Sequence, residues 1–132
     1  MSWDRRTWIT LAAISGLIAV AAGAFAAHSL QDPTAREVMK TGATYEMTHA
    51  LATLVCAALM RAGARRARFV PALFLSGTLL FSGSLYGLAL GAPRWTGIIT
   101  PFGGLLFLAG WAMLAWAAQG LDRTMDIGEA GK

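Results

Sequence analysis

Apolar residues along this chain gather into four long runs separated by short polar or charged stretches: Trp8 to Ala27, Thr41 to Met60, Phe69 to Leu90 and Ile98 to Ala118. Each run is close to the ~20 residues that a helix rising ~1.5 Å per residue needs to cross a hydrocarbon layer. The pattern predicts an all-α membrane protein, with four transmembrane helices forming a compact bundle in a single domain over residues 1–120. The polar segment 121–132 is expected to be a disordered tail. Alanine and glycine are frequent in all four runs, which favours helix packing over isolation in lipid.

The stretch between the first two runs holds the clearest helix start in the chain. Asp32 can cap free amides, and Pro33 follows where its missing N–H costs nothing. Ala35, Val38, Met39 and Gly42 then recur at helical spacing while Arg36, Glu37 and Lys40 fall on other faces. This pattern predicts a short amphipathic interfacial helix along the outer surface, before the chain turns into the second span.

In the third run Gly83, Gly87 and Gly91 follow one another at intervals of four, a stripe that predicts close approach of a neighbouring helix. Between runs three and four, Gly91-Ala92-Pro93 reads as a turn and Trp95 as an interface anchor, a role also open to Trp3, Trp8 and Trp116. Thr100-Pro101 with Gly103 and Gly104 could be a helix break of the kind transporters use. The simpler reading places Pro101 in the first turn of the fourth helix and the two glycines at a helix contact.

Composition supports lipid as the solvent: 56% of residues are hydrophobic and only 14% charged, against about a quarter charged in soluble domains. The formal net charge of +4 would suggest a nucleic-acid partner in a soluble protein. Here the basic residues cluster at run ends, so no nucleic-acid partner is expected. Eight of them (Arg5, Arg6, Arg61, Arg65, Arg66, Arg68, Arg123, Lys132) fall on one side of the four-span arrangement and three (Arg36, Lys40, Arg94) on the other. That asymmetry predicts a multi-pass protein of the bacterial inner membrane with both termini and the Arg61 to Arg68 loop in the cytoplasm. Arg5-Arg6 before an apolar run ending in Ala24-Phe25-Ala26 resembles an export signal, but the run is longer than the 7–15 residues of a signal core, so an uncleaved span is expected. Cys56 is the only cysteine and excludes an intrachain disulfide.

Ionisable groups inside a membrane are expensive and single out candidates for function. Glu46 and His49 stand one turn apart, where a carboxylate could hold the imidazole tautomer or share a proton with it. Reckoned from Thr41, both lie in the outer half of the second span. His28 ends the first run, and Tyr45, Tyr86, Ser82 and Ser84 complete a candidate intramembrane polar site. It reads either as a proton relay or polar pocket beneath the outer surface, or, with the greater weight, as hydrogen bonds that fix helix packing. Cys56 shares the Glu46–His49 face but lies about 10 Å beyond His49 along the axis, so no metal site is expected. No G-x-S-x-G, H-E-x-x-H or phosphate loop is present, so neither an enzyme nor a cofactor is expected.

The segments GAFAAHSL (23–30), TYEMTHALATL (44–54), LFSGSLYGLAL (80–90) and ITPFGGLLFLAGW (99–111) together resemble domain-of-unknown-function family 423. This is the YgdD-like group of small bacterial inner-membrane proteins, which has eukaryotic relatives, and the resemblance runs from about residue 8 to residue 118. It implies a four-span membrane protein with no established activity. The family's recurring positions correspond here to His28, Tyr45, His49, Ser82, Ser84, Tyr86, Pro101, Gly103 and Gly104. Where this chain has Glu46 the family commonly carries glutamine or another polar residue, which moves attention toward His28 and His49. The expected function is that of a non-enzymatic accessory or structural subunit, with the bilayer and a membrane-protein partner or second copy as partners. The alternative is a small oligomeric transporter or channel, proton-coupled through His49.

Overall fold

A computed structural model describes residues 4–121. Among these, four α-helices follow in order: α1 (Arg5–His28), α2 (Pro33–Arg61), α3 (Val70–Ala89) and α4 (Thr100–Ala118). Short 3-10 turns, Arg65–Phe69 and Arg94–Ile98, lead into α3 and α4. The expected tail falls, apart from Leu121, outside the described residues, as does Trp3. Among the described residues three segments are long and apolar enough to cross a membrane: Arg5–His28, Arg65–Ala89 and Arg94–Ala118. The second run differs because its helix is longer than the apolar stretch and carries Arg36, Glu37 and Lys40 in its opening turns.

That difference corrects the predicted interfacial helix. Asp32 does cap and Pro33 does start a helix, with the Asp32 carboxylate accepting from the Ala35 amide at 2.7 Å. The helix then runs unbroken for 29 residues. Nothing between Lys40 and Tyr45 stops it: no proline intervenes, and Gly42 faces the Tyr86 ring, whose Cε1 would lie 2.7 Å from an added Cβ. This glycine makes room for a neighbour and does not end a helix.

α2 is the organising element. It buries ten residues, among them Met39, Gly42, Ala50, Thr53 and Cys56, with α1 and α3 packed along it and α4 packed along α3. α1 and α3 touch only sparsely, so α1 and α4 flank the α2–α3 pair. The core between α2, α3 and α4 is built from Ala52, Cys56, Val70, Phe74 and Phe107.

The predicted glycine stripe is not a helix contact. A Cβ on Gly83 would meet open space, Gly87 makes ordinary contact with Ala92 and Thr96, and Gly91 lies beyond α3 with φ of +97°. Gly91 is there for the turn, whose left-handed backbone only glycine adopts without cost. Close approach is made instead by Gly77, Gly103 and Gly110. Gly103 sits against the Phe81 backbone and the Gly77 carbonyl, Gly77 faces the Phe107 ring, and Gly110 faces Phe74. Gly104 makes only ordinary contact with Phe81. Pro101 occupies the first turn of α4, where its ring displaces no helical hydrogen bond.

Candidate functional site

Glu46 and His49, one turn apart on α2, enter two different networks. Glu46 lies 13 residues past the start of α2 and 15 before its end, near the helix midpoint. Glu46 is only 4% exposed. One carboxylate oxygen accepts from the Ser15 hydroxyl of α1 at 2.9 Å and the other from the Tyr86 hydroxyl of α3 at 2.6 Å. One side chain thus ties three helices together, and no cation among the described residues pairs with it. A buried carboxyl group is tolerated when both its oxygens are hydrogen-bonded, because the lost hydration is replaced within the protein.

His49 belongs to a separate network. Its Nδ1 lies 2.6 Å from the Tyr45 carbonyl, one turn back, and its Nε2 accepts from the Trp111 indole N–H of α4 at 3.1 Å. Indole nitrogen is a donor only, so Nε2 must be the unprotonated nitrogen and Nδ1–H donates to Tyr45. The imidazole is therefore held neutral in one tautomer by Trp111, and the expected role of Glu46 in that task is not realised. Phe107 stacks on the same ring with centroids 3.5 Å apart, and Phe74 meets it edge-on at 5.2 Å.

The remaining candidates divide accordingly. Ser82 donates to the Gly42 carbonyl at 2.7 Å, clamping α3 to α2 just beside the Tyr86–Glu46 bond. Ser84 shares a hydrogen bond with Thr100 at 2.7 Å where α4 begins. Tyr45 is half-exposed against Phe81, with ring centroids 4.6 Å apart. His28 is exposed in the last turn of α1 and does not close a pocket over His49. Cys56 is buried in the apolar core, and no group of three or more potential ligands among the described residues could hold a metal ion.

Two clefts flank the α2–α3 pair. One, of about 590 Å³, lies between α1 and α3 with Glu46 and Ser15 at its base. The other, of about 810 Å³, lies between α2 and α4 and is lined by Thr44, Tyr45, Thr48, His49 and Trp111 among others. They share no lining residue.

Ser15 and Trp111 were not singled out from sequence, although each carried a signal. A serine within an apolar run and a tryptophan away from a run's ends both hold a polar group that needs a partner.

Comparison with known proteins agrees with the membrane character of the helices. The model of a family described as protein of unknown function (DUF423) matches residues 22–104. A UPF0382 membrane protein of Haemophilus influenzae is 43% identical over 117 residues, covering 86% of this chain and 94% of its own length. The UPF0382 inner membrane protein YgdD of Escherichia coli (strain K12) is 43% identical over 122 residues, with 89% and 93% covered. A UPF0382 membrane protein of Staphylococcus epidermidis is 38% identical over 115 residues, with 85% and 94% covered. No solved structure matches. Four helices with apolar outer faces, internally bonded polar groups and this degree of identity over nearly the whole chain lead to one assignment: the protein is a membrane protein belonging to the DUF423 family of unknown function.

Proposed function

We propose that this chain is a non-enzymatic, four-span protein of the inner membrane that serves as an accessory or structural subunit, with both termini and the Arg61–Arg68 loop in the cytoplasm. In this reading α2 is the fourth span, with Glu46 shielded from lipid by α1 and α3 and His49 covered by α4. The observation that carries the proposal is that both oxygens of Glu46 and both nitrogens of His49 are engaged by Ser15, Tyr86, Trp111 and Tyr45. Groups occupied in this way fasten helices and leave the outward apolar faces of α1 and α4, with Leu17, Val20, Leu105 and Leu108 exposed, for lipid or a partner.

The test is to compare wild type with His49→Ala in two assays: co-purification from native membranes and solute or proton flux in proteoliposomes. Loss of an associated membrane protein with no flux in either form supports the accessory role. A flux carried by the wild type and abolished by His49→Ala would instead establish a transporter. Orientation is tested separately: a cysteine at Arg65, in a Cys56→Ala background, should be labelled by an impermeant maleimide only from the cytoplasmic side.

A further inference from the structure

The cleft between α1 and α3 has features that helix fastening does not require. Its volume of about 590 Å³ falls within the range of small-molecule sites, roughly 300–1,000 Å³. The walls are apolar, formed by Leu11, Ile14 and Ile18 of α1 with Leu75 and Leu79 of α3, and the base holds Glu46 and Ser15. Trp8 and Ala72 mark the end nearest the starts of α1 and α3. The cleft therefore runs from one end of the helices toward their middle, and its polar base is at the inner end.

Three observations indicate that the polar part of the cleft is incompletely used. Each Glu46 oxygen accepts one hydrogen bond from the protein, whereas a carboxylate offers about four acceptor positions. Ser76, exposed on the α3 wall, presents a hydroxyl to the cleft. Thr78, another lining residue and only 6% exposed, has a buried Oγ1 with no hydrogen-bond partner. A helical threonine can usually turn its hydroxyl to a carbonyl one turn back, so an unpaired one beside a cleft stands out.

We propose that this cleft binds a neutral, hydroxyl-bearing lipophile, a long-chain alcohol or phenol, whose chain lies along the Leu and Ile walls and whose hydroxyl donates to Glu46. The depth of the base selects this class. Glu46 stands ~9 Å along α2 from Lys40 and Ser15 ~15 Å along α1 from Arg5, so the base lies within the apolar spans and below the level of a phospholipid's charged headgroup. A pure hydrocarbon tail would leave the spare acceptor positions of Glu46 unmet, and a fixed cation would meet the dehydration cost of entering the apolar layer. A neutral hydroxyl meets neither difficulty. The proposal is independent of the accessory role, because a subunit with or without a partner could hold such a molecule.

The experiment uses the full chain in phospholipid nanodiscs and hexadecanol carrying a photoactivatable diazirine and an alkyne. Labelling should map to segments 8–18 and 72–79. Unlabelled hexadecanol should compete about tenfold better than hexadecyl methyl ether, which accepts but cannot donate, a ratio equivalent to a hydrogen bond of ~1.4 kcal/mol. Because Glu46 also joins three helices, the blocking variant is Leu79→Trp, at a position 75% exposed, where the larger ring projects into the cleft without disturbing the core. It should abolish labelling at unchanged thermal stability. Equal competition by the ether would mean that the cleft merely holds tails, and labelling that persists in Leu79→Trp would place the ligand elsewhere; either result overturns the proposal. Cross-linking between two copies of the chain at this cleft would overturn it as well, by assigning the cleft to a dimer.

Discussion

The Trp111 indole N–H and the His49 Nε2, 3.1 Å apart, hold α4 to α2 across a gap that the two backbones do not close. Their bond, with the Phe107 ring stacked on the imidazole, decides which nitrogen carries the proton. Substituting Trp111→Phe keeps the aromatic bulk and removes the donor. Nitrogen NMR of the wild type should show a neutral imidazole protonated on Nδ1 throughout the pH range in which the protein stays folded. The variant should lose that single tautomer and about 1 kcal/mol of stability. A wild-type His49 that exchanges freely between tautomers would show that Trp111 does not govern it.

Glu46, Ser15 and Tyr86 form one network over three helices, so the cost of breaking it depends on what is left unpaired. Tyr86→Phe removes one donor and should cost about 0.6–1.7 kcal/mol, the range measured for hydrogen bonds in membrane bundles. Glu46→Leu strands two donors at once and should cost more, about 1–3 kcal/mol for each unsatisfied group. Thermal melts of both variants in the same detergent give the order, and equal melting temperatures would contradict it.

The glycines divide by what a side chain would meet. Gly83→Ala faces open space and should be neutral or stabilise the helix by up to about 1 kcal/mol. Gly103→Ala drives a methyl group into the Phe81 backbone and should cost about 1–3 kcal/mol. Urea or thermal unfolding of the pair settles the contrast, and the opposite ranking would restore the stripe suggested by spacing.

Asp4 caps α1 by accepting from the Thr7 amide at 2.9 Å, and that bond holds its carboxyl below its ordinary value of 3.8. A carboxyl group whose pKa is lowered on folding contributes its stabilisation above the unfolded value and loses it as pH falls through the folded one. Hydrogen exchange at the first turn of α1 should therefore be constant near neutrality and quicken, after correction for intrinsic rates, only below pH 3.8. Asp4→Ala should show that faster exchange at every pH.

Much of the architecture is legible in the sequence. The four apolar runs correspond to the four helices, and Asp32-Pro33 and Thr100-Pro101 mark helix starts, because hydrophobic length and capping chemistry act through neighbours in sequence. Identity over nearly the whole chain likewise fixed the family. Of the polar candidates, Glu46, His49, Ser82 and Ser84 are buried between helices, as polar groups in apolar runs must be, whereas His28 and Tyr45 are exposed.

Spacing could not tell which polar groups meet. Glu46 and His49 share a helix face, yet their partners come from α1, α3 and α4 at separations of 31, 40 and 62 residues. The glycines that matter were chosen in the same way: Gly42, Gly77, Gly103 and Gly110 are needed because Tyr86, Phe107, Phe81 and Phe74 from another helix stand opposite them, whereas Gly83, equally well spaced, faces nothing. Sequence determined the helices and the solvent they suit; the tertiary structure alone decided which faces meet, because contact between helices depends on their relative rotation and height, which no periodicity within one helix encodes.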